Sequence, residues 1–415
     1  MSETRGADSG AERPPPRRLP RSIWALGFVS MFMDISSEMI HGLLPVFLAT
    51  VLNASATTIG LIEGIGEATA SISKLFSGWI SDRMGRRKPL TVLGYGLAAL
   101  SKPLFAVAPA AGWVLLARFS DRIGKGIRDA PRDALVGDLV ERDMRGAAYG
   151  LRQSLDTIGA FIGPLLAIAL MALFNDDFRL IFWLAIIPAI VSVTILVFAV
   201  REAPLHRNGE GSRAAIRWDE FRRLGRPFWA IVVVGALLTL ARFSEAFLIL
   251  RAQGVGLPLA LAPLVLVVMN IVYSASAYPL GKLSDRYDRG RMVAVGFFVL
   301  ILADLVLALP MNIWVVMLGV CLWGLHMGLT QGVLAALVAD TAPTALRGTA
   351  FGVFNLVSGL ALLLASLVAG ALWQVIGPSA TFVAGAGFTV IGLVTYHQVH
   401  FWGAARKNAS ADTGP

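Results

Sequence analysis

The sequence predicts an all-α integral membrane protein: twelve transmembrane helices in two six-helix pseudo-symmetric halves, with both termini cytoplasmic. Three observations predict it. The 415 residues are 56% hydrophobic and only 15% charged, with a mean hydropathy of +0.68, where a soluble domain is about 25% charged. About a dozen stretches reach the roughly 20 mostly apolar residues that a membrane helix needs. The sequence before residues 201–226 also repeats after them. The same composition excludes disordered, collagen-like and disulfide-stapled chains, since Cys321 is the single cysteine. In a soluble chain the net charge of +9 would suggest a nucleic-acid partner; in a membrane chain it sets topology instead, and no nucleic acid is expected.

Residues 1–21 are polar and Pro-rich around Pro14, Pro15 and Pro16, and read as a disordered cytoplasmic tail. The first apolar run is too long for a cleavable signal peptide. The predicted spans follow at 22–50, 57–80, 89–109, 112–138, 147–173 and 178–200, forming an N-terminal half over 22–200. Charges interrupt the first and fourth. Turns at Asn53, at Pro109 with Gly112, at Pro310–Asn312 and at Gly377–Pro378 punctuate the chain. A cytoplasmic linker, 201–226, carries Trp218 and Phe221 among arginines and has the composition of an interfacial amphipathic helix. The C-terminal half, 227–402, offers spans at 227–250, 259–282, 291–309, 312–338, 348–373 and 378–402, and 403–415 forms a second tail.

Orientation follows from the arginines. Arg17, Arg18 and Arg21 precede the first span, Arg83 to Lys88 follow the second, Arg142 and Arg145 the fourth, and seven arginines fill the linker. The opposite loops carry little beyond Arg179 and Arg251. This is the positive-inside pattern. With lysine sparse and arginine abundant, it suits a multi-pass protein of a bacterial inner membrane.

The repeat is local and regular. Gly78, Ser81, Asp82 and Arg83 return as Gly281, Ser284, Asp285 and Arg286, an offset of 203. Asp138, Arg145, Gly146 and Gly150 return as Asp340, Arg347, Gly348 and Gly352, an offset of 202. Parallel six-helix repeats are a known transporter plan, with the binding site between the halves near midplane.

Gly78, Asp82, Arg83, Gly85, Arg86, Arg87 and Lys88 resemble the loop signature of the major facilitator superfamily, and Gly281–Arg291 its degenerate second copy. Arg118 with Gly124 is similar to that family's fourth-helix motif, although Asp121 and Arg122 depart from it. Gly159, Gly163 and Pro164 resemble the motif of its antiporters, without the usual closing glycine pair. The resemblance implies a secondary transporter, a cavity lined by the first, fourth, seventh and tenth helices, efflux by antiport, and a monomer. In physical terms, Gly78 allows close helix approach, Asp82 can face a neighbouring helix N-terminus, and Arg86 can pair with Asp138. With Asp285 and Arg286 these residues form a candidate conformational latch; Arg87 and Lys88 read as topology charges.

Intramembrane ionisable groups are expensive and therefore functional candidates. Asp34, Glu38 and His41 fall within roughly 60° of helical arc, and Glu63, Glu67 and Lys74 share a face of the second span. Arg118, Asp121, Arg122, Lys125, Arg128, Asp129, Arg132 and Asp133 fit within about 140° of the fourth. Pro131 assigns the last four basic and acidic groups, from Arg128 on, to a structural network near the cytoplasmic end. Asp34, Glu38, Glu63 and Glu67 are the candidate proton carriers. His41, Arg118, Asp121, Arg122, Lys125, Arg242, Glu245, His326 and Gln331 are the candidate substrate contacts. In the second half the repeat places Trp323 opposite Asp121 and Met327 opposite Lys125, so that wall is apolar; Asp304 is its other acid. Lys102, before Pro103, reads as a snorkelling side chain.

Gly124, Lys125 and Gly126 do not have the spacing of a phosphate-binding loop. No catalytic constellation is evident, so neither an enzyme nor a cofactor is expected. The expected function is proton-coupled efflux of a small molecule by alternating access. Two alternatives are a divalent-metal transporter using Asp34, Glu38 and His41, and a non-transporting receptor on the same scaffold.

Overall fold

The computed structural model describes residues 19–84, 86–141, 144–202, 224–284, 289–309, 312–343 and 346–411. The first tail up to residue 18, most of the linker with Trp218 and Phe221, and Gly85, Asp285 and Arg286 lie outside the described residues, as do the side chains of Asp82 and Arg83.

Every regular element among the described residues is helical. The N-terminal half comprises α1 (Arg21–Val51), α2 (Ala56–Met84), α3 (Lys88–Val107), α4 (Ala111–Asp138), α5 (Arg145–Leu173) and α6 (Phe178–Ala199). The C-terminal half comprises α7 (Arg226–Gly254), α8 (Leu264–Ser284), α9 (Arg289–Ala308), α10 (Ile313–Thr341), α11 (Arg347–Val375) and α12 (Pro378–Ala411). Among the described residues ten spans are long and apolar enough to cross a membrane. The remaining two helices, α2 and α4, have the length, 29 and 28 residues. Their charges lower their hydropathy, because they face each other and not lipid.

The turns obey local chemistry. Asn53 and Gly377, both read as punctuation, adopt positive φ of 49° and 127°, a region open to Asn and Gly at little cost. Asp177 caps α6 by accepting from the Leu180 N–H, and Asn312 caps α10 by accepting from Trp314 and Val315. α1 is interrupted after His41 at Gly42, and its last turn, Phe47–Val51, is a π-helix. α7 is broken between Ala241 and Ala246. Broken helices beside a site expose backbone groups that regular helices hide.

The repeat seen in the sequence is a repeat of packing. α1 packs on α5 and α6, α4 on α2 and α3, and α3 on α6; α7 packs on α11 and α12, α10 on α8 and α9, and α9 on α12. Between the halves, α2 lies antiparallel along α11. Glycine is required there: a Cβ on Gly64 would stand 2.9 Å from Leu363 Cα, and one on Gly359 2.7 Å from Ser71 Cβ. The other seam, α5 with α8, is much less extensive and includes the short turn Leu259–Leu261.

The two halves also meet at one end of the molecule. Leu44–Val46 packs on Ala246–Gly254. Phe47 stacks edge-on against Phe182 at 5.1 Å, while Phe243 meets Phe247, Trp323 and Phe382 at 5.5 Å each. These rings are buried.

Candidate functional site

The site is an ionic lattice inside the N-terminal half. α4 supplies the cations. Arg118 Nη2 lies 2.6 Å from Glu63 Oε2 and 3.8 Å from Glu67, and Arg122 Nη1 lies 3.2 Å from Glu67. His41 at the end of α1 bridges two acids, with Nδ1 3.7 Å from Glu38 and Nε2 3.6 Å from Glu63. The chain of contacts from Glu38 through His41 and Glu63 to Arg118 thus joins α1, α2 and α4. α4 can lie this close to α2 because Gly126 faces Ser73 and Lys74, where a Cβ would stand 2.9 Å from the Lys74 nitrogen. Charges so close in a low-dielectric interior are tolerable only as mutually satisfied sets.

The acids differ in access. Glu63 is 1% exposed, whereas the Glu67, Asp34 and Glu38 side chains are 34%, 27% and 26% exposed. The latter three are partly exposed. Lys125 acts electrostatically on all three, yet makes no ion pair within 4 Å among the described residues.

Asp34 lies 4.0 Å from Arg128 and against Asp156 of α5, close enough for the two carboxyls to share a hydrogen bond. Asp156 also receives Arg152 at 3.4 Å. Sequence reasoning missed Asp156, although it stands three residues before Gly159. Gly159 and Gly163 explain the proximity: they sit against the α1 backbone at Met31 and Ile35, and a Cβ on Gly163 would stand 2.8 Å from Glu38 Cβ. The helix 5 motif therefore presses α5 onto the helix that carries Asp34 and Glu38.

Several expectations need correction. Lys102 does not snorkel. It is buried, with Nζ 2.8 Å from Asp121 Oδ1 and 3.0 Å from Ser37 Oγ. Asp121 is accordingly turned to α3, so the α4 charges divide between α2 on one side and α3 with α1 on the other. Arg128 is not only structural, since it reaches Asp34; it also covers the Tyr95 ring at 4.6 Å. Arg132 reaches Asp129, Asp133 and the Ser30 hydroxyl, as a structural network requires. Among the described contacts, Asp138 pairs with Arg87 at 2.7 Å and not with Arg86. Lys88 donates to the Val197 carbonyl, and Glu202 accepts from the Arg87 and Lys88 N–H groups. These basic residues tie α3, α4 and α6 together within one half. Gly78 faces Ala130 with room for a Cβ at 3.5 Å, so close approach does not require glycine there.

In the C-terminal half, Arg242 and Glu245 occupy the break in α7. Glu245 lies within electrostatic reach of His41, Arg242, Glu38 and Glu67, across the space between the halves. Gln331 accepts from the Tyr273 hydroxyl at 3.1 Å. His326 is fully buried, with Nδ1 2.8 Å from the Gly296 carbonyl, so it faces α9. Asp34 is drawn toward Arg128 and Asp156, away from Glu38 and His41. Among the described residues no three His, Cys, Asp or Glu side chains converge on a metal site.

Two pseudo-symmetric six-helix halves, with broken first and seventh helices and ionisable groups within the spans, follow the plan of a membrane transporter. The sequence profile of the Major Facilitator Superfamily matches residues 26–366 and 246–411, and the chain belongs to that family. It is 32% identical over 388 residues to an uncharacterised MFS-type transporter of Methanocaldococcus jannaschii, covering 90% of this chain and 94% of that one. It is 26% identical over 397 residues to the multidrug resistance protein MdtH of Photorhabdus laumondii, covering 92% and 95%. A crystal structure of the nucleoside transporter NupG superposes with a TM-score of 0.78 at 12% identity, over 91% of this chain and 99% of that one.

Proposed function

We propose that this chain is a proton-coupled antiporter that exports a small charged or zwitterionic organic solute across a bacterial inner membrane. The observation that supports it best is the partial exposure of Asp34, Glu38 and Glu67 while each keeps a basic partner, Arg128 and Arg122 of α4 for Asp34 and Glu67 and His41 of α1 for Glu38. A carboxylate so placed has two satisfied states: ionised against an arginine, or protonated when that arginine turns to another partner. Asp34 and Asp156 can share a hydrogen bond only with a proton between them, which makes Asp34 the first carrier. Glu38 is the second, through His41. Glu63, sealed against Arg118, orients the lattice. Lys125, without a close ion-pair partner, and Glu245 on the opposite wall would receive the solute's charged groups. Leu44–Val46 packs on Ala246–Gly254 at the end away from the arginine-rich loops, which supports a state open to the cytoplasm, where an exporter loads.

The test uses inverted membrane vesicles with an acidified lumen, reported by quenching of an acridine dye. A panel of amphiphilic cations, organic anions and zwitterions is added. Export substrates should reverse the quench in wild-type vesicles and not in Asp34→Asn or Glu38→Gln vesicles at equal protein level. Uphill accumulation that survives collapse of the pH gradient, or in both variants, would refute proton coupling.

A further inference from the structure

The C-terminal half contains a fully buried acid that the proposed mechanism does not use. Asp304 on α9 has no exposed surface, and neither carboxyl oxygen has a hydrogen-bond partner among the described residues. Its neighbours on the same helix face, Phe297, Leu300, Ala303 and Leu307, are buried and apolar. Among the described residues no basic side chain pairs with it. On the elements packed around it, α7 carries Arg242 and Glu245 at its break and Arg251 beyond it, the last committed to the Leu307, Ala308 and Leu309 carbonyls at the end of α9. α10 carries His326, committed through Nδ1 to Gly296, and α12 carries Tyr396 and His397 more than two turns from Gly385.

Asp304 shares a notch with a backbone carbonyl. A Cβ on Gly385 of α12 would stand 2.8 Å from Asp304 Oδ2 and 3.1 Å from the Ala241 oxygen, so both oxygens border one notch that only glycine leaves open. Ala241 is the last residue before the break in α7, where helix carbonyls lose their intrahelical donors. Two acceptors that border one notch in an apolar interior call for a donor between them.

The repeat shows what has replaced that donor. The offset of 202 that equates Asp138 with Asp340 equates Lys102 with Asp304 and Asp121 with Trp323. In the N-terminal half these two positions hold an ion pair at 2.8 Å. In the C-terminal half the acid stands alone, opposite an indole whose N–H is also unpaired. We infer that Asp304 is a proton-binding site of the C-terminal half, whose O–H is donated toward the Ala241 carbonyl at the break in α7. A metal cation is the poorer occupant, because one carboxyl and one carbonyl supply too few oxygens for its shell. The site is tied to the hinge: movement of α7 carries Ala241 away from Asp304, and the acid then loses its acceptor and its seal. This inference does not depend on the coupling role given to Asp34 and Glu38.

The experiment is infrared difference spectroscopy of the purified full chain in nanodiscs, in D2O at neutral pH. Wild type should show the C=O stretch of a protonated carboxylic acid that is missing in Asp304→Asn and kept at a shifted frequency in Asp304→Glu. Asp34→Asn serves as the comparison and should leave this band in place. A band unchanged in both Asp304 variants overturns the proposal. So does a wild-type melting temperature that rises in sodium over choline chloride when Asp304→Asn does not respond, since the occupant would then be sodium. If the Asn variant does not fold, the Glu variant decides alone: an unmoved band is refutation.

Discussion

The pair of Lys102 and Asp121 gives the sharpest test of the lattice. Its atoms are 2.8 Å apart, and the two side chains are 2% and 8% exposed, so solvent screening is slight. Asp121→Asn leaves the Lys102 ammonium with the Ser37 hydroxyl at 3.0 Å as its strongest acceptor, and should cost about 3–5 kcal/mol, the loss expected when one member of a buried pair is removed. Lys102→Met should cost less, about 2 kcal/mol, because Asp121 keeps Arg122 Nε at 4.0 Å. Replacing both with apolar residues, Lys102→Met with Asp121→Leu, removes the desolvation penalty together with the attraction. That double variant should lie within about 1 kcal/mol of wild type. The measurement is equilibrium unfolding in mixed micelles of rising dodecyl sulfate fraction, arranged as a double-mutant cycle. If the double variant is destabilised by the sum of the single losses, the two charges are not partners and the assignment of Lys102 is wrong.

Three further outcomes follow from the geometry. Gly163→Val should force α5 off α1, since even a Cβ stands 2.8 Å from Ile35 O; transport should fall at least tenfold, while Gly146→Ala, which meets nothing within 4 Å, should behave as wild type in the same vesicle assay. Asp138→Asn breaks a pair whose members are 45% and 23% exposed, and should lower stability by less than about 1 kcal/mol, read as a small change in the micelle titration. Glu63→Gln leaves Arg118 with Glu67 at 3.8 Å as its remaining acid; it should destabilise the N-terminal half by about 3 kcal/mol, and a neutral effect in that titration would remove Glu63 from the lattice.

How far the fold could be read depended on which physics wrote it. Hydropathy and turn residues placed the spans to within about five residues, because lipid acts on each helix separately; the exception is α12, which runs to Ala411 where a tail was expected from 403. α4 was recovered from its periodicity although its hydropathy is low. Pairing between helices was less legible. Periodicity put Asp121 on the same face as Arg118, yet neighbours on both sides of that face divide it. Lys102 looked like an end-of-helix lysine because its partner lies on the next helix. Asp156 carried no signal of its own; only the glycine spacing on α5 hinted that α1 comes within reach of it. Among three adjacent basic residues, the start of α3 decides that Arg87, not Arg86, meets Asp138.

The placement of charge bears on how such a molecule can alternate. The buried ion pairs of Glu63 with Arg118, Glu67 with Arg122 and Lys102 with Asp121 all lie within the N-terminal half. The seam of α2 and α11 is instead built from glycines and small side chains. Packing of that kind is adjusted by small slides, whereas breaking a buried ion pair would cost several kcal/mol at each turnover. The lattice therefore keeps one half rigid and leaves the seam free to move. Glu245, on the C-terminal half, faces the charged group around His41 without an ion pair to it among the described contacts. A solute that bridges Lys125 and Glu245 would supply an ionic link between the halves, so binding, and not the resting protein, would provide the interaction that distinguishes one state from the other.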